Sequence, residues 1–226
     1  MGLQSGVPRH PAGVLGGVRG VLRGGGRTRE GAGQLTRALF VRHALTVGMR
    51  GARFPTGEER ADPSSLEQAH RLARTFAEGT AFVAPGRAAR ETAVALGCEP
   101  VVVLELAEPD HGRWRGLPYE EVAQADPESF ARWLTDPGAA PHGGESHHQA
   151  AARVVSWLET LREDARRGEG VVVVCDVGAV RAVVGHALGI GPLVAARFDL
   201  APLSLTQLSA AREGWRIGYV NRKATP

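Results

Sequence analysis

Cysteine is scarce: Cys98 and Cys175 are the two in 226 residues, too few for a disulfide framework. No run approaches the roughly 20 apolar residues that a membrane-spanning helix needs, so no membrane partner is expected. The N-terminus lacks the charged-then-apolar layout of a secretion signal. These absences together predict a reducing, cytoplasmic setting. Aromatics make up 5% of the chain, and Trp114, Trp133, Trp157 and Trp215 lack the interleaved basic residues of a single-strand nucleic-acid platform. Core or pocket-wall roles are expected for them. With 43% apolar and 23% charged residues, the composition is that of a globular protein, and the length suits one domain.

A sequence pI near 9.4 suggests a nucleic-acid binder until the charge is located. Residues 1–36 carry five of the 27 Lys and Arg but one of the 24 Asp and Glu, which leaves 22 basic and 23 acidic residues beyond them. The basicity belongs to a tail, and no specific nucleic-acid partner is expected. The tail also holds 11 of the 30 glycines and few large side chains, so it cannot bury enough apolar surface to offset its ordering entropy. A disordered Arg/Gly-rich tail over 1–36 and one domain over 37–226 are predicted. An anion-binding arm, a targeting segment and a translation start set too far upstream remain open for the tail.

From Ala38 to Val41 a short apolar run ends in Arg42-His43, a buried strand delivering two polar side chains. Leu66, Ala69, Leu72, Ala73 and Phe76 repeat at helical spacing over 64–78. Thr80 to Ala84 reads as a strand, and Pro85 opens a helix through Leu96. Pro100 to Leu104 reads as a third strand. An insertion without long periodicity spans about Glu105 to Gly144. A long helix is predicted over 145–167, a central strand over Val171 to Cys175, and a helix over 178–188 stopping at Gly189. Leu203 to Leu208 and Trp215 to Tyr219 read as edge strands, the first leaving room for a homodimer. The alternation predicts an α/β fold, a three-layer αβα sandwich on a mostly parallel central sheet. Ligands in such sheets sit outside the carboxyl ends of the strands, which selects Arg42-His43, Pro85 to Arg90 and Cys175 to Arg181.

Arg-His at a strand end suits phosphate chemistry: guanidinium grips phosphate oxygens with a fork of donors, and neutral imidazole attacks phosphorus. The dipeptide alone fits equally a carboxylate-paired arginine and a backbone-bonded histidine. The surrounding stretches sharpen the reading. Leu39-Phe40-Val41-Arg42-His43-Ala44-Leu45-Thr46, Arg53-Phe54-Pro55, Arg90-Glu91-Thr92-Ala93, Glu108 to Gly116, His142-Gly143-Gly144-Glu145-Ser146 and Val174 to Arg181 follow one another in order. In order and spacing they resemble the phosphoglycerate-mutase-like branch of the histidine phosphatase superfamily, over about 37–220. The resemblance implies a phosphohistidine on His43, a phosphate clamp at Arg42, and Glu108 as general acid. It also implies a small phosphorylated or otherwise anionic substrate, no cofactor and no metal.

Two positions depart from the family's pattern. Its second arginine falls on Ala88, with Arg87 and Arg90 about 100° and 200° away around the helix. Its second histidine falls on Asp176. A carboxylate about 4 Å from a phosphate charge costs on the order of 4 kcal/mol at an effective dielectric near 20. The expectation is phosphomonoester hydrolysis impaired or lost, the alternative being a non-catalytic phosphate-ligand or protein-binding pseudophosphatase. Arg90, Glu145 and Asp176 join Arg42 as expected substrate-binding residues. His142, His147 and His148 with Glu145 offer a metal cluster or a capped helix start, and a metal-assisted hydrolase using His43 and Asp176 is the third reading. His111 and Arg113 face either pocket or solvent. Cys175, His70 and His186 read as structural.

Overall fold

Unbroken apolar runs make the centre of the sheet. Val171–Cys175 (β4) buries all but its first residue, and Arg37–Arg42 (β1) buries Ala38 to Val41 between polar ends. Strands without polar alternation are covered on both faces. In the computed structural model, which describes residues 37–76, 79–164 and 170–225, these two strands pair side by side. Gly79–Val83 (β2) and Cys98–Val102 (β3) extend the sheet on one side, Ser204–Ala211 (β5) and Gly214–Lys223 (β6) on the other. The order is β3-β2-β4-β1-β5-β6, parallel from β3 to β1 and antiparallel through β5 and β6.

Eight α-helices occur among the described residues: α1 Val47–Arg50, α2 Pro63–Leu72, α3 Arg87–Ala95, α4 Tyr119–Ala125, α5 Pro127–Thr135, α6 His147–Asp164, α7 Val177–Leu188 and α8 Pro192–Ala195. Helices α2 and α3 pack together, as do α6 and α7, and the sheet lies between them in the expected αβα sandwich. One large apolar cluster joins all three layers. Local signals set the helix ends. Asp62 caps α2 through the Ser64 and Ser65 amides, with proline in its first turn. Gly189 ends α7 in the left-handed region at φ 67°.

One expectation is corrected and one region gains detail. Leu203 to Leu208 is no edge, because β5 pairs with β1 on one side and with β6 on the other. The chain turns at Gly214 (φ 101°) and folds β6 back over the open side, so the case for a homodimer through that strand falls. The insertion also carries regular structure: α4 and α5, each opened by a proline and too short to show periodicity. A second apolar cluster under it centres on Phe54, Trp114 and Val122. The expected tail, 1–36, lies outside the described residues, as does the expected end of the long helix beyond Asp164. No helix among the described residues is long and apolar enough to cross a membrane.

Candidate active site

Strand register brings the chemistry together. Arg42 lies opposite Cys175 in the β1–β4 ladder, and the His43 amide donates to the Cys175 carbonyl at 2.9 Å. Residues 43 and 176 therefore leave the sheet side by side. His43 is buried, and its Nδ1–H donates to the Ala44 carbonyl at 2.8 Å. That bond leaves Nε2 with its lone pair. Glu108, in the loop after a 3-10 turn at Leu104–Leu106, brings Oε1 to 3.7 Å from this nitrogen. Glu108 Oε2 is buried without a partner.

Asp176 caps α7, its Oδ1 accepting from the Gly178 and Ala179 amides. Its Oδ2 is buried and unpaired, and the residue is only 4% exposed. Burial, and then the neighbouring Glu108 carboxylate, push the Asp176 pKa up to about 6 against the opposing pull of His43 and the capping amides. Two carboxyl groups thus face one imidazole.

Arg42 projects beside them. Its Nη1 donates to the Leu200 carbonyl and its buried Nε has no partner. Arg181 of α7 lies against the same loop, donating Nε and Nη2 to the Phe198 carbonyl at 3.1 and 2.9 Å. Burial and the adjacent Arg181 charge hold the Arg42 guanidinium below its ordinary pKa, while Asp176 and Asp199 pull the other way. Leu203 closes this loop in the left-handed region at φ 60°, its amide bonded to the Arg42 carbonyl. A branched side chain there costs about 1–2 kcal/mol, a strain tolerated where both guanidinium groups are seated.

Ala88 lines a recess with His43, Glu108 and Asp176. Thr92 pins that turn, accepting from the Ala44 amide at 2.9 Å and donating to the Ala88 carbonyl at 2.6 Å. The recess holds about 10 Å³, room for roughly one water. Arg87 borders it, but its Nε is bonded to Glu91 Oε1 at 2.9 Å. Arg90 does not reach the site: α3 buries Ala88, Ala89, Thr92 and Ala93, and Arg90 stands on the exposed face beside Glu91 and Val94. Glu145 is likewise not in the pocket. Arg153 donates to both Glu145 oxygens at 2.9 and 2.7 Å, and Glu145 Oε2 also accepts from the Asp110 amide at 3.1 Å. Burial raises its pKa, but these bonds and the Arg153 charge win and hold it low. It is a strut between the 110 loop and α6.

A cavity of about 340 Å³ opens from Arg42, His43, Glu108, Asp176 and Arg181. His111, Tyr119, Trp133 and His147 form one wall. His111 packs 4.9 Å from Phe54 and 5.4 Å from His142, ring to ring. Burial and the two nearby histidines drop its pKa to about 4, so it is neutral at ordinary pH. His147 Nε2–H donates to the Trp133 carbonyl at 3.1 Å, and His148 points to solvent. The candidate cluster of His142, His147, His148 and Glu145 is therefore dispersed among aromatic packing and a salt bridge. Among the described residues no three His, Cys, Asp or Glu side chains are grouped to hold a metal ion. A Cβ on Gly144 would run into the Asp110 carbonyl, so glycine lets this loop close against the 110 loop. Arg113 pairs with Asp126 at the surface, 2.8 Å away. Cys175 is fully buried, which with Asp176 raises its thiol pKa.

Sequence reasoning placed Arg181 in a motif without assigning it a role, and missed Tyr119 and His147 as pocket wall. The available signal for Arg181 was its place in the second turn of the helix that Asp176 opens at a strand end.

The family model for the histidine phosphatase superfamily (branch 1) matches residues 38–223. A bifunctional protein of Mycobacterium tuberculosis is 33% identical over 192 residues, 79% of this chain and 52% of that protein. The chain thus spans about half the length of the first curated relatives it matches. A glucosyl-3-phosphoglycerate phosphatase of Mycolicibacterium vanbaalenii is 33% identical over 172 residues, covering 70% of this chain and 76% of its own. Among solved structures, a mycobacterial glucosyl-3-phosphoglycerate phosphatase in complex with VO3 matches with a TM-score of 0.69 and 27% identity, over 83% of this chain and 100% of that one. The alpha-ribazole phosphatase of Shigella flexneri, 18% identical with a TM-score of 0.74 over 84% of this chain and 98% of its own, shares the fold.

Proposed function

Because the chain belongs to the histidine phosphatase superfamily (branch 1), we propose that its pocket binds small phosphomonoesters and turns them over through His43, with hydrolysis impaired at neutral pH. The observation that carries the reading is the free Nε2 of His43 set between Glu108 and Asp176. In the productive sequence the Nε2 lone pair attacks phosphorus and the ester P–O bond breaks. The leaving oxygen takes the proton of the Glu108 carboxyl group. Water then attacks the phosphohistidine, Glu108 takes back a proton, the N–P bond breaks and orthophosphate leaves. Arg42 and Arg181 neutralise the phosphoryl charge from one side.

Asp176 opposes this. Ionised, it faces a phosphoryl dianion with a bare, unsolvated oxygen. Protonated, the same oxygen donates a hydrogen bond to the phosphoryl group. Its pKa of about 6 therefore predicts turnover that rises as the pH falls from 7.5 to 5.

The second reading is a phosphate-binding pseudophosphatase, favoured by the capping bonds that occupy Asp176 Oδ1. Mass spectrometry after rapid quench with p-nitrophenyl phosphate separates the two. A phosphoryl group on His43, absent in His43→Ala, supports catalysis. Saturable phosphate binding with no adduct at pH 5 or 7 assigns the pseudophosphatase instead. Turnover at pH 7.5 undiminished from that at pH 5 overturns the impairment.

A further inference from the structure

Beyond the phosphate pole, this cavity continues between three helices that face it with several alanines and other apolar side chains. His147, Ala150, Ala151 and Val154 line it from α6, the i, i+3, i+4, i+7 spacing of a single helix face. Ala179 and Ala182 line it from α7, one turn beyond the Asp176 cap, Leu193 from α8, and Ala196 from just past the end of α8. Larger side chains at these alanines would close the space; with alanine it stays open as part of a cavity of about 340 Å³, within the range of small-molecule sites. The polar lining points to a ligand independently: Asp176 Oδ2 and Glu108 Oε2 are buried at that end without partners, as is His111 Nδ1 on the aromatic wall.

Resting on the phosphomonoester reading above, we infer that the leaving group is an apolar alcohol, its hydrocarbon part lying along the alanine-lined wall of α6, α7 and α8 while its phosphate sits at Arg42, His43 and Arg181. The wall residues Ala150, Ala151, Val154, Ala182 and Leu193 have no side-chain hydrogen-bonding atom, and the amides and carbonyls inside the helices are spent on the helices. A polyhydroxylated alcohol laid along this wall, away from the His111 and Tyr119 side of the cavity, would bury hydroxyls stripped of water without a wall group to replace it, each a net cost. A hydrocarbon chain gains with every carbon removed from water.

Calorimetry on the full chain at pH 5.5 with hexyl phosphate, glycerol phosphate and inorganic phosphate tests this. Hexyl phosphate is expected to bind one to one, to be displaced by inorganic phosphate, and to bind at least tenfold tighter than glycerol phosphate. Ala151→Leu should cut that advantage to less than threefold. If Ala151→Leu does not fold, Ala196→Leu at the exposed position that closes α8 makes the same test. Equal affinities for the two esters, or tighter glycerol phosphate, overturn the apolar leaving group and leave the phosphate site standing. Failure of all three ligands to bind overturns the phosphate site as well.

Discussion

Two helix starts converge on His43, and they differ in kind. At α3 the N-cap is Gly86, without a side-chain cap bond, and the first turn offers Ala88 beside a water-sized recess. At α7 the N-cap is Asp176, with two amide bonds and a buried, unpaired oxygen, in a residue that lines the same recess as His43. The first is a subtraction: a small side chain where an anion-binding group would fit the chemistry. The second is a substitution with a structural task, since a capping aspartate contributes about 1 kcal/mol to its helix. Loss at one start and replacement at the other have different energetic consequences, so substitutions can separate them.

The largest expected effect comes from changing both starts. Asp176→His with Ala88→Arg should raise p-nitrophenyl phosphate turnover at pH 7.5 by roughly 10³-fold, equivalent to about 4 kcal/mol of barrier. A rise below tenfold would mean that the α3 recess cannot admit the new guanidinium or that the two sites are not the cause. Next, Arg181→Gln should weaken inorganic phosphate binding by roughly 10- to 30-fold in calorimetry, because a charge-assisted grip is lost beside Arg42. An unchanged Kd would reduce Arg181 to its bonds with the Phe198 carbonyl.

Asp176→Asn isolates charge from capping at α7, since asparagine caps as well as aspartate. Folded Asp176 has a pKa raised to about 6, against about 3.9 unfolded. The folded chain therefore binds the proton more tightly, and ionisation of this group is destabilising above pH 6. That penalty fades as the pH falls from 6 toward 4. Denaturant melts should show Asp176→Asn more stable by about 3 kcal/mol at pH 8, with the advantage gone by pH 4. Asp176→Ala should fall below Asp176→Asn at every pH by the lost cap. The smallest effect belongs outside both starts: Glu145→Gln should lower the melting temperature by about 4 °C or less and leave phosphate affinity within twofold. A tenfold loss of affinity would return Glu145 to the pocket.

Much of this was legible along the chain because the signals are local. β4 announces itself as four valines and a cysteine, α7 by its stop at Gly189, and the meeting of His43 with residue 176 follows from two parallel strands ending together. Asp176 was readable as a misplaced charge, although its cap bonds to Gly178 and Ala179 were not read from the sequence. Arg90 and Glu145 were assigned to the pocket from their neighbourhood in sequence. A helix turns each residue by about 100°, so Arg90 faces solvent two positions from Ala88, and Glu145 meets Arg153 eight residues along.

The sequence by itself determined the layered α/β order, the strand ends that present Arg42, His43 and Asp176, and the family resemblance, because periodicity, breakers and short motifs are written in neighbouring residues. Only the tertiary structure decided that Arg181 stands beside Arg42, that β5 is covered by β6, and that alanines of α6, α7 and α8 leave an open wall. Those facts depend on which faces meet across separations as large as the 158 residues between Arg42 and Leu200, and side-chain packing at such distances is settled by the whole core at once.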